Sequence, residues 1–152
     1  MSKELLTLLV AASPLVELRG AIPFAVFSLH LEPIRAFLIS VIGNFIPIIP
    51  LLFFWKYFAA FLSRRSLYCR RFFAWFFTHT RRRHTNHFAV WKEIALLVFV
   101  AIPLPLTGAW SGTVAAFVFN VPLWRAALMI ALGILIAGFV VLFLSQSVSY
   151  VL

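Results

Sequence analysis

PLVELRGAIP, residues 14–23, sets Glu17 and Arg19 two positions apart, with Gly20 beside them, between Pro14 and Pro23 and inside a long apolar run. Proline has no backbone N–H and glycine disfavours a continuing helix, so a helix breaks here. The arms on either side, Leu5 to Ser13 and Gly20 to His30, are each about ten residues, or roughly 15 Å of helix, half the thickness of a hydrocarbon layer. Two such half-helices meeting at a polar tip make a re-entrant hairpin, because backbone freed at membrane depth must face protein or water rather than lipid.

Lipid is the solvent that the composition demands. The 152 residues are 64% hydrophobic and 17% aromatic, and 11% are charged, against roughly 25% in an ordinary soluble domain. The chain carries 13 Lys and Arg, 4 Glu and no Asp, for a net charge of +9. Nine of the basic residues fall between Lys56 and Lys92, with no acid between Glu32 and Glu93. Such a basic block between two apolar halves follows the positive-inside pattern and places residues 57–92 in the cytoplasm of a multi-pass protein of the cell membrane. The single Cys69 excludes an internal disulfide. Lys3 and the apolar run after it have the form of a short signal peptide, but apolar character continues past Glu17 and Arg19, so this is the first membrane segment.

Two runs, 34–55 and 122–144, are long enough to span a bilayer. The stretches before them, 5–30 and 94–121, are each broken by proline and glycine. Comparison of the halves shows an internal repeat. IRAFLISVIG (34–43) aligns with WRAALMIALG (124–133), and VAASPLVELRGA (10–21) with VAIPLPLTGA (100–109), at an offset of 88 to 90 residues throughout. The expected fold is an all-α integral membrane protein of two repeats, 1–56 and 93–152. Each is a re-entrant hairpin followed by one full span, so the second repeat is inverted relative to the first. The alternative is four plain spans with proline kinks and parallel repeats.

An ionised group at membrane depth costs about 2.5 to 3.5 kcal/mol, so Glu17 and Arg19 are expected to pair and to line a pathway. If the tip lies instead at the interface, both charges sit among headgroups. The second tip, with Pro103, Pro105, Gly108 and Gly112, carries no charge but offers Thr107, Ser111 and Thr113. Arg35 and Arg125 stand at matching positions, where a guanidinium holds an anion or simply marks the interface. GAWSG, 108–112, is a close-packing pattern.

The middle block joins the basic pairs Arg64/Arg65 and Arg70/Arg71 and the run Arg81, Arg82, Arg83 to a dense aromatic stretch, as an interfacial helix on anionic lipid would. Nucleic acid is not the expected partner. His79, His84 and His87 lie among arginines with no acid nearby, which argues against a metal site. No nucleophile–base pair or phosphate-cradling loop is present, so neither enzyme chemistry nor a cofactor is expected. With two full spans per chain, a homodimer is expected to cover the polar tips.

VELRGAIP at 16–23, the Gly43–Asn44 pair and AIPLPLTGAWSG at 101–112 resemble the small multi-drug export protein family over almost the whole chain. That family is similar in plan to the DedA group of re-entrant-loop membrane proteins. The resemblance implies inverted repeats and transport of small solutes, or movement of lipid-linked anions, driven by protons. Glu17 would be the protonatable group and Arg19 its partner. The uncharged second tip departs from the DedA pattern. A membrane scaffold that does not transport is the remaining alternative.

Overall fold

The computed structural model describes residues 2–65, 71, 75, 86–103 and 107–151. Every described element is helical. Most of the expected interfacial helix over 64–84, including Arg70 and Arg81 to Arg83, lies outside the described residues, as does Pro105 of the second tip. Of the basic arm, Arg64 and Arg65 are the last described residues of the helix Ile48–Arg65. Arg71 is on helical backbone, and it and Arg64 are exposed.

Helix α1, Lys3–Ala12, starts at Ser2, whose hydroxyl accepts from Leu5 N at 3.3 Å, and stops at Ser13 before Pro14. Helix α2, Glu17–Pro23, continues into a π-helical turn, Phe24–Ser28. Pro23 has no N–H for the Arg19 carbonyl one turn back, and the ladder shifts register: Leu29 N donates to Phe24 O, five residues back, at 3.3 Å. Helix α3, Pro33–Phe45, opens on proline, whose fixed φ suits a first turn, and α4, Ile48–Arg65, follows a break at Pro47. In the second half, α5 is Asn86–Ala101, α6 is Ala109–Val118 and α7 is Leu123–Val151. The expected tip thus narrows to Ser13–Val16, with Gly20 and Pro23 inside α2 and Gly112 inside α6.

The repeat seen in the sequence recurs in the packing. Helices α1 and α2 form a hairpin closed at its base by Lys3, whose Nζ donates to Leu29 O at 2.8 Å. Helices α5 and α6 form a second, closed by Lys92 Nζ on Phe119 O at 3.3 Å, at the repeat offset. Each returning strand of a hairpin ends in a left-handed residue, His30 with φ 52° and Asn120 with φ 51°. The burial pattern of 31–44 is reproduced residue for residue along 121–134. Gly43 and Gly133 bring each long helix onto the first arm of its own hairpin. A Cβ on Gly43 would lie 2.6 Å from Leu8 O, and one on Gly133 would lie 2.7 Å from Val100 Cβ and 3.1 Å from Leu97 O.

The two halves share one core, with Leu18 and Ile22 of α2 and Ile48 of α4 meeting Leu96 and Val100 of α5 and Ile130 and Ile134 of α7. The outward stripe is as apolar as the inward one: Ile34, Leu38, Ile42 and Ile46 are exposed, and so are Trp124, Leu128, Leu132 and Ile136 at matching positions. Apolar side chains ringing a bundle in this way require lipid rather than water around them. Two stretches, Pro33–Phe58 and Leu123–Val148, are long and apolar enough to cross a membrane.

Gly43→Ala and Gly133→Ala are each expected to lower stability by about 1 to 3 kcal/mol, because the added methyl meets backbone or a β-branched neighbour that has no room to withdraw. Thermal unfolding in detergent measures this, and Gly138→Ala, whose Cβ would meet the Phe37 ring edge, should cost less.

Candidate functional site

Glu17 sits where the chain turns from Ser13 into α2. Ser13 Oγ donates to Val10 O at 2.8 Å and accepts from Val16 N at 3.4 Å, and Glu17 N donates to Ser13 O at 3.2 Å. The turn holds Glu17 at φ 52°, a conformation that costs a residue with a Cβ about 1 to 3 kcal/mol. That strain aims the carboxylate away from its own helix and at the start of α6. There Trp110 N donates to Glu17 Oε1 at 3.3 Å, Ala109 N–H contributes a second bond, and the side chain is buried.

The start of a helix presents unpaired N–H groups and a partial positive charge, which a carboxylate satisfies directly. Gly108 is what admits it, since a Cβ at that position would overlap the Glu17 carboxylate. Ser111 Oγ accepts from Gly108 N at 2.8 Å and donates to Gly108 O at 3.1 Å, fixing the strand that enters α6. The Trp110 indole N–H donates to Ala12 O, the last residue of α1, at 3.3 Å. The start of α6 is therefore fastened to both sides of the first turn.

Arg19 serves the other end of the same break. Its Nη2 donates to Ile102 O at 3.2 Å, just beyond the end of α5, to Thr107 O, and to Thr107 Oγ1 at 3.4 Å. Thr107 Oγ1 in turn donates to Ile102 O at 2.9 Å. A cation at a helix C-terminus meets unpaired carbonyls and a partial negative charge. Glu17 and Arg19 also attract each other across the turn, but their hydrogen bonds go to opposite ends of the break in the second hairpin.

Around these groups is a cavity of about 490 Å³, lined from the first tip by Pro14, Leu15, Val16, Glu17 and Arg19 and from the second by Gly108, Trp110 and Ser111. Of the sequence-derived site residues, Glu17, Arg19, Thr107 and Ser111 are thus brought together. Arg35 and Arg125 are not. Arg35 pairs with Glu32 at 3.3 Å on the exposed first turn of α3, and Arg125 pairs with Glu93 at 3.0 Å across α7 and α5. Arg64 and Arg71 of the basic arm are exposed and are no part of the cavity lining. Thr113 bonds Trp55 of α4 instead, at 3.1 Å. No group of three metal-ligating side chains occurs among the described residues, and His79 and His84 lie outside them. Trp110 is the member that sequence analysis missed. Its signal was an indole set between two glycines of the second tip.

A family model described as "Putative small multi-drug export protein" matches residues 17–140, from Glu17 into the second long helix. No curated protein and no solved structure matches the chain.

Gly108→Ala is expected to displace the Glu17 carboxylate and cost about 0.5 to 2 kcal/mol, the range for losing a helix N-cap. Denaturant unfolding of the detergent-solubilised protein reads the loss, and Glu17→Gln, which keeps the shape and an acceptor, should lose less.

Proposed function

The chain belongs to the small multi-drug export protein family, and from that premise we propose that it is a membrane exporter of small solutes whose translocation site is the cavity between the two tips. The observation that carries this is the cavity itself: Glu17, Arg19, Trp110 and Ser111, from turns far apart in sequence, share one site of about 490 Å³. A carboxylate, a guanidinium, an indole and a hydroxyl around one opening suit a small amphipathic solute.

The re-entrant arrangement is supported by the lysine clasps. Each hairpin begins and ends within a hydrogen bond of itself, so each enters and leaves the membrane on one side. Among the described residues one full span separates the two, which supports hairpins that approach from opposite sides and inverted repeats. The basic block between the halves, in which Arg64 and Arg71 are exposed, supports a cytoplasmic base for the second hairpin. Glu17, at the meeting point, is the group that exchanges a proton for solute. Passage of an anionic lipid headgroup along Arg19, Arg35 and Arg125 is the weaker alternative, because the last two are spent on Glu32 and Glu93 away from the cavity.

In proteoliposomes with a pH gradient, the protein is expected to move an amphipathic dye, and Glu17→Gln to lose the acceleration that the gradient gives. Unchanged gradient-driven flux in Glu17→Gln removes Glu17 from coupling. A non-transporting scaffold would show no flux in either protein. Single cysteines at 14–17, in a Cys69→Ser background, should react with an impermeant thiol reagent at rates that fall with depth, from one side of the membrane only.

A further inference from the structure

The two halves differ in one place where their packing is the same. Thr7, Ser40 and Asn44 are fully buried in the first half, and Leu96, Ile130 and Ile134, at matching positions in the second, are fully buried too. The second set forms part of the apolar core, as expected for a seam between a hairpin arm and a long helix. The first set makes the corresponding seam polar. Ser40 and Asn44 are one turn apart on one face of α3, beside Gly43, which abuts Leu8 and Ala11 of α1. Thr7 is one turn before Ala11 on α1.

Among the described residues, Ser40 Oγ, Asn44 Oδ1 and Asn44 Nδ2 have no hydrogen-bond partner. Buried side-chain amides and hydroxyls are almost always paired, because lipid and protein interior give back none of the hydrogen bonding that water supplied. Pro47 adds to the deficit, as it offers no N–H to the Gly43 carbonyl one turn back. What would satisfy the seam must both donate and accept. A metal cation would ligate Ser40 Oγ and Asn44 Oδ1 but leave Asn44 Nδ2 orphaned, whereas water serves all three and can also donate to Thr7 Oγ1, whose own hydrogen goes to Lys3 O at 2.9 Å.

We propose that Thr7, Ser40 and Asn44 form a membrane-buried water site in the seam between α1 and α3. Its depth gives it a role. Asn44 lies eleven residues past Pro33, about 16 Å along α3 and level with the end of α1. Ala12, at that end, accepts from the Trp110 indole, and Trp110 N–H holds Glu17. Water in the seam therefore lies beside the end of α1 that Trp110 fastens to the tip. If Glu17 exchanges protons as proposed above, the seam gives protons a second approach, through the first repeat only.

The test compares matched positions. Single cysteines replace Ser40, Asn44, Ile130 and Ile134 in the Cys69→Ser protein, and silver ions, close to water in size, are added to proteoliposomes. Residual thiol is then read by maleimide after denaturation. Ser40→Cys and Asn44→Cys are expected to lose maleimide labelling while Ile130→Cys and Ile134→Cys keep it. Labelling kept at all four positions, or lost at all four, overturns the proposal. Should Asn44→Cys fail to fold, deuterium exchange of the Asn44 side-chain amide in the Cys69→Ser protein decides. Exchange faster than the backbone amides of α3 supports a hydrated seam, and exchange at their rate overturns it. No solute flux is measured, so the water site and the export reading stand or fall separately.

Discussion

One turn of chain carries both a carboxylate and a guanidinium into the gap of another hairpin, and the bundle is organised around that insertion. A broken helix exposes N–H groups on one side of its break and carbonyls on the other, which no lipid can satisfy. Glu17 takes the N–H side through Trp110, and Arg19 takes the carbonyl side through Ile102 and Thr107. Charges that would be costly in a membrane thus become the caps of a break that would otherwise be costly itself. The left-handed Glu17 backbone and the absence of a side chain at Gly108 are the local concessions that make the fit possible.

Two matched halves could have solved the problem twice, once at each tip, but only the first tip is charged. The shared scaffold is close in detail: lysine clasps, left-handed ends, glycine contacts and burial pattern all recur at the repeat offset. On it the first half places a charged tip, Glu17 and Arg19, and a polar seam, Ser40 and Asn44. The second half answers the tip with backbone groups, Thr107 and the Trp110 indole, and fills its own seam with apolar side chains. Such a division lets one half act as the chemical element and the other as its receptor.

Much of this was legible in the sequence. Pro14 announced the break before α2, the alignment of 34–43 with 124–133 announced an internal repeat, and the tip motifs carried the family. Glu17 and Arg19 attract each other, while their hydrogen bonds go to the second tip. Two charges two residues apart suggest each other as partners, and nothing local reveals that another break will offer stronger ones. Lys3 gave no sign of its role in closing the hairpin because its acceptor, the Leu29 carbonyl, is a backbone group with no sequence signature. Ser40 and Asn44 were invisible for a related reason. Their oddity is burial without partners, which exists only once α1 has packed against α3.

The capping interaction also limits how an export cycle could work. Protonation of Glu17 would remove the charge that the start of α6 attracts, and so would loosen the contact between the tips. A carboxylate at a helix N-terminus contributes about 0.3 to 2 kcal/mol, whereas moving a two-state equilibrium from one side almost wholly to the other takes about 5.5 kcal/mol. Proton binding at this one site is therefore too weak to switch the bundle alone. The remainder must come from the solute, through contacts that differ between the two states. Because such coupling is reciprocal, a solute that is exchanged for a proton must prefer the joined tips, in which Glu17 is ionised, so proton and cargo would oppose each other at the same cavity.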